Sequence, residues 1–200
     1  MPRVRPDRAV VACVVVVTLA GAVARGAEPP WKVEKGELRV TVPLKPGGAF
    51  EATSASLAGT LTPGGSRPVK LTGEITLDLS TIETGISLRN QHLREKYLQV
   101  ARGRGFDHAV LTDVAVNDAA GPDFEGRSAF TGSLLLHGVQ GRVTGTAEVH
   151  RSGAGVRVDA SFPLTLTDFG IEPPEYLGVG VGNKVMVRVQ LTALPRASAR

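Results

Sequence analysis

The chain has 200 residues, 42% hydrophobic and 21% charged, with six Phe, two Tyr, one Trp and a single Cys. That composition fits one ordinary globular domain and excludes a disordered chain, a multispan membrane protein, an internal disulfide, a cysteine-rich zinc module and an iron–sulfur centre. Arg3, Arg5 and Arg8 against Asp7 hold +2 of the formal +4 charge. The remaining +2 is scattered and the aromatics are few, which argues against nucleic acid as a partner.

Residues 1–26 read as a secretory signal peptide: a positive leader, an uncharged run from Ala9 to Ala24, and small residues that offer cleavage after Ala24 or Gly26. The run is shorter than the ~20 residues a helix needs to span a bilayer. An uncleaved anchor is the rival reading. Cys13 lies inside the run, so it is poorly placed for lipidation and leaves with the leader. The mature chain then has no thiol and no transmembrane segment, and suits an oxidising compartment.

Past the lead-in Glu28-Pro29-Pro30-Trp31, short alternating stretches appear between Gly, Pro, Asn and Asp clusters. Leu38, Val40 and Val42 alternate with polar neighbours, and Ala49 to Leu61 reads as a weaker strand. Val69 to Leu79 keeps a period of two, with Gly73 at a bulge or bend. Ser87 to Val100 breaks the alternation, with Leu88, Leu93, Tyr97 and Leu98 at helical spacing, and predicts a short amphipathic helix over one opening of the sheet. Strands resume at Phe106 to Asn117, Phe130 to Leu136 and, after a Gly138–Gly141 turn, Val143 to Val149. Val156 to Leu166 gives the longest clean alternation, and Val185 to Leu191 closes the series.

Eight strands joined mostly by short turns are antiparallel. With no repeat and no change of composition they form one domain, residues 28–195. The fold class is all-β, either a two-sheet sandwich or a closed barrel, with the short helix between strands 3 and 4. Gly132, Gly145, Ala147 and Ala160 on the inward face would leave space and favour a cavity, or else mark bends and close packing.

Four blocks in order resemble the YceI-like polyisoprenoid-binding family: LTGEITLDLSTIE with TGISLRNQHL (Thr84–Leu93), FTGSLLLHGV (Phe130–Val139), FPLTLTDFGI (Phe162–Ile171) and the closing strand Val181 to Leu191. The likeness covers about residues 31–193. It implies an extended eight-stranded, lipocalin-like antiparallel barrel around an apolar cavity holding an isoprenoid chain, in a protein exported to the periplasm. Two places depart from the family pattern. Ala101 to Phe106 lacks a proline and carries Arg102 and Arg104, and Thr167 replaces the basic residue before Asp168.

The residues offer little for catalysis. His92, His108, His137 and His150 stand at no ligand spacing, so no metal is assigned. No G-x-S-x-G elbow is present, and Asp113 and Asp118 read as solvated turn and strand-end carboxylates. Gly178-Val179-Gly180-Val181-Gly182 leads into a strand, so it reads as a turn and not as a phosphate loop. The function expected is non-enzymatic and without cofactor: an exported carrier, store or sensor whose partner is an isoprenoid or other long-chain lipid. Phe130, Leu134, Leu136, Val158, Phe162, Leu164, Val187 and Val189 are the candidate wall. Arg89, His92, Arg94, Arg102 and Arg104 are candidate contacts for a polar headgroup, with loop bracing as the alternative for Arg89. A periplasmic partner-binding barrel with a filled interior is the second reading, an enzyme acting on a lipid or quinone the third, and a homodimer is left open.

Overall fold

The computed structural model describes residues 29–65, 67–121, 123–153, 155–176 and 179–196. The leader expected over residues 1–26, with Cys13, and Gly178 of the glycine string lie outside them. The strands are β1 (Trp31–Lys45), β2 (Ala49–Ser54), β3 (Leu57–Gly64), β4 (Val69–Asp78), β5 (His108–Val116), β6 (Gly126–Leu136), β7 (Val139–Ser152), β8 (Gly155–Thr165), β9 (Glu175–Tyr176), β10 (Val179–Val181) and β11 (Lys184–Pro195).

Eight of these close on themselves in the order β1-β3-β4-β5-β6-β7-β8-β11, every pairing antiparallel. The seam is β1 against β11, from Trp31 opposite Pro195 to Thr41 opposite Met186. The result is a closed eight-stranded barrel, the alternative that period-two alternation alone left undecided against a sandwich. The stretch read as one weak strand from Ala49 is β2 plus β3. Both pair with β1 at the same offset, Leu38 opposite Ser54 and Trp31 opposite Leu61, so they are one strand broken at Ala55-Ser56. The break has a local cause: the buried Ser54 hydroxyl accepts from the Ser56 amide at 3.2 Å, and both serine hydroxyls meet Thr81 Oγ1 at 2.7 Å.

Side chains alternate in and out along each barrel strand, as the sequence indicates. The outward face is charged with both signs; Arg39, for example, bonds Glu51 at 2.8 Å and Glu37 at 3.2 Å. Gly73, at φ +119°, sits in a register shift between β4 and β5, where a Cβ would meet the Thr60 carbonyl oxygen at 2.1 Å. The β6–β7 connection is tighter than expected. It is a two-residue turn, His137-Gly138, with φ of +53° and +76°, and β7 already starts at Val139. Val179 to Val181 is not the turn expected of the glycine string but the short strand β10, paired with β1 and β9.

The segment from Leu79 to Asp107 spans one end of the barrel. Only Ser87–His92 is α-helix (α1); Leu93–Tyr97 continues as a wider π turn and Val100–Arg102 as a 3₁₀ turn. The predicted helix is thus shorter than the apolar spacing suggested. Gln99, with φ +54°, interrupts the right-handed path.

The four small inward residues divide into two kinds. A Cβ on Gly145 would meet the Ser161 carbonyl oxygen at 2.2 Å and Phe162 Cβ at 2.7 Å, and one on Gly132 would meet Leu111 Cδ1 at 2.8 Å. Both glycines serve close packing. Ala147 and Ala160, cross-strand partners of one another, instead face open space inside the barrel. Gly145→Ala is therefore expected to cost about 1–3 kcal/mol by overpacking, while Ala147→Val, in the next inward position, costs less than 1 kcal/mol. Urea unfolding of the two variants measures both, and equal losses would contradict this division.

Candidate functional site

The inward faces of the barrel enclose a cavity of about 710 Å³. Its wall is aliphatic and aromatic and draws on every barrel strand, from Leu38, Val40 and Val42 on β1 round to Val185, Val187, Val189 and Leu191 on β11. The buried hydrophobic residues of the main cluster are largely this same set, so the core of the barrel is a lining and not a filling. Beyond the lining, one end is packed. Val33 and Ala193 group with Trp31 and Val156, and Val69 and Ala119 group with Phe124. The other end holds the Leu79–Asp107 segment and the stretches 166–176 and 179–183. There the lining becomes exposed, with Leu44 at 37%, Ile86 at 50% and Leu88 at 61%. This is the mouth.

Polar lining is sparse: Thr76, Thr84, Arg89, His92 and Tyr97, of which all but Thr76 come from the mouth segment. Such a space can dissolve a hydrocarbon and offers a nitrogen-bearing group only at its opening.

All eight residues named as candidate wall from the sequence line the cavity. Phe130 and Phe162 meet edge-to-face at 6.1 Å across Gly145 and narrow the interior there. The five rim candidates are not brought together. Arg89 and His92 line the mouth, with the Arg89 guanidinium 4.2 Å over the Phe50 ring. Arg94 turns away from the opening: its Nη2 donates to the Ile82 carbonyl at 3.1 Å and pairs with Glu83 at 2.5 Å. The bracing weighed for Arg89 belongs to Arg94. Arg102 stacks at 3.9 Å over Phe106 and donates to Gln99 Oε1 at 2.8 Å, while Arg104 is exposed; neither lines the cavity.

The mouth segment is fixed to the barrel by a small polar network. Glu83 and Thr53 exchange backbone hydrogen bonds of 2.8 and 2.9 Å, which attaches the segment to the free edge of β2. Asn90 is buried; its Oδ1 accepts from the Thr84 amide at 2.8 Å and from Thr84 Oγ1 at 2.7 Å, and its Nδ2 donates to Glu83. This explains the spacing in TGISLRN: the threonine and asparagine clamp α1 onto the strand end, leaving Ile86, Leu88 and Arg89 to face the opening. Asp78 starts the segment as an N-cap, accepting from the Ser80 amide at 2.9 Å and the Ser80 hydroxyl at 2.6 Å.

Sequence reasoning missed the part of the wall on β1 to β5 and β7, although Leu38, Val40, Val42, Ile75 and Leu77 carry the same alternation. It had no signal for Pro173 and Pro174, which reach the mouth from an irregular connection.

A family profile described as the YceI-like domain matches residues 31–193. The chain belongs to the YceI-like family. Among solved structures, this YceI-like chain is similar to a polyisoprenoid binding domain from Saccharophagus degradans implicated in plant cell wall breakdown (TM-score 0.64, 18% identity, covering 83% of this chain and 98% of that one). It is also similar to BcnA of Burkholderia cenocepacia (TM-score 0.62, 17% identity, 78% and 95% covered) and to the YCEI protein of Campylobacter jejuni (0.51, 14%, 70% and 81%). At these identities the likeness concerns the fold. No curated protein matches the chain.

Two consequences follow for the mouth segment. Removing the buried Asn90 amide strands the Thr84 donors, so Asn90→Ala is expected to lose about 1–3 kcal/mol in chemical unfolding. The Asp78 carboxyl is held below its ordinary value by the Ser80 hydroxyl and amide, with smaller help from the His108 and Arg94 charges. Because its folded-state value is depressed, its contribution is full at neutral pH and is lost as pH falls through the ordinary carboxylate value of ~3.9 toward the folded one. Melting curves from pH 6 down to pH 2 check this: Asp78→Asn should be less stable than the parent at pH 6 and converge on it as the pH falls.

Proposed function

We propose that this protein is an exported, non-enzymatic binding protein that holds an isoprenoid-type lipid chain in the barrel, with the polar end at Arg89 and His92. The observation that carries the reading is the 710 Å³ apolar cavity, open at one end beside those two side chains. Each CH₂ moved from water into such a space gains about 0.8 kcal/mol, so a long chain binds by burial and needs few polar contacts. An arginine at the opening suits a phosphate or other anionic end group. The relative from Saccharophagus degradans, described as polyisoprenoid binding, supports the lipid class. Export rests on the basic leader, apolar run and small residues of the N-terminus.

Mass spectrometry of organic extracts from the purified protein tests the reading, together with titration by an apolar fluorophore and by a polyprenyl phosphate. Recovery of an isoprenoid, or saturable uptake of both probes, is expected. Absence of all three overturns it. Ala160→Phe places a ring in the open part of the cavity, with Val189 and Ala147 as its cross-strand neighbours. That variant should fold and lose at least tenfold in fluorophore affinity, whereas a solvent-facing change such as Arg157→Gln should leave uptake unaltered.

A further inference from the structure

Resting on that reading, we propose that the cavity mouth is a docking surface for an anionic lipid bilayer, applied through the α1 side of the rim. Three observations meet there. Ile86 and Leu88 are among the most exposed large apolar side chains of the described residues, and both border the cavity. Apolar groups left in water beside an opening mark a surface that something covers. The same β4–β5 connection carries, over residues 87–105, Arg89, Arg94, Lys96, Arg102 and Arg104 against Glu95 alone, a net +4 with His92 neutral. Arg94 is engaged with Glu83, but Arg89, Lys96, Arg102 and Arg104 form no ion pair with a carboxylate among the described residues.

The charge is lopsided, which gives the docking a direction. Beyond the His137-Gly138 turn, which meets Gly105 on one side and Phe169 on the other, the stretch 166–176 carries Asp168, Glu172 and Glu175, with Glu175 paired to Lys45 at 3.1 Å. A negative surface attracts the basic stretch 87–105 and repels the acidic stretch 166–176, so the barrel tips with α1 toward the headgroups. Ile86 and Leu88 then enter the interface, and the cavity opens onto the layer from which a lipid chain is taken or to which it is returned. Basic residues beside apolar ones are the combination that holds peripheral proteins at anionic interfaces. No helix among the described residues is long and apolar enough to cross a membrane.

Flotation of the purified chain with phosphatidylcholine vesicles, with and without phosphatidylglycerol, is the test. Binding should require phosphatidylglycerol and fall with added salt. Lys96→Gln with Arg104→Gln should weaken it by roughly fivefold per charge, and Leu88→Gln should weaken it further, while Asp168→Asn with Glu172→Gln changes it less than twofold. Lack of flotation on anionic vesicles, or a rise from the acidic-rim variants as large as the fall from the basic ones, overturns the docking surface. The Lys96/Arg104 variant lies outside the cavity, so its extracted lipid should match the parent. Flotation with neither extracted lipid nor uptake of either probe would sink the binding reading, and cavity lipid without flotation would sink the docking alone.

Discussion

Everything in this molecule hangs on the seam where β1 meets β11. Trp31 to Thr41 lies against Met186 to Pro195, and this ladder converts a sheet with two open edges into a tube with none. Once closed, eight strands fix a circumference, and the interior volume follows from that geometry and not from how well the side chains fill it. Valine, leucine and alanine dominate the inward positions of β8 and β11, and they are too short to meet across the axis. The two phenylalanines that do approach one another, Phe130 and Phe162, need a glycine between them to do so.

A closed tube has ends, and the two are treated differently by the sequence. At one, Trp31, Val33, Val69 and Phe124 pack against their neighbours. At the other, polar bonds hold a loop in place without filling the space beneath it. Thr84, Asn90, Glu83 and Arg94 satisfy one another and the backbone, which leaves the apolar residues of α1 free of structural duty. Paired buried polar groups specify one arrangement, and in this network of described residues only Arg94 Nε is left without a partner. Here the arrangement specified is an opening.

The period of two made the strands, the antiparallel order and the cavity wall on β6, β8 and β11 legible, because each strand has one dry and one wet face over its whole length. Closure was legible only through the YceI-like blocks: alternation is identical in a sandwich and a barrel, and the long-range pairing of β1 with β11 separates them. Small residues were ambiguous for a related reason. Gly145 and Ala147 sit on the same face of β7, yet one is pressed on by Phe162 and the other looks into a void, and no local pattern distinguishes them. The rim was the least legible part. Five cationic or imidazole side chains in one irregular segment look alike in sequence. Their directions depend on where Gln99 takes a left-handed turn and on which carbonyl Arg94 finds, and so the bracing arginine was misplaced by five positions. The YceI-like blocks marked the segment correctly, since the clamp of Thr84 and Asn90 is what TGISLRN encodes.

A hollow barrel also redistributes where stability resides. In a filled core, side chains from opposite walls touch, and deleting one leaves a cavity whose cost grows with its volume. Around this cavity most of the inward side chains touch lateral neighbours and the void, so the wall is held by the interstrand ladders and by contacts along the surface of the tube. An occupant that binds the folded chain and not the unfolded one adds stability by mass action. It does so by supplying the cross-axis contacts that the sequence omits. Binding and folding therefore draw on the same surface: the residues that hold an apolar chain are the ones that would otherwise have been the core.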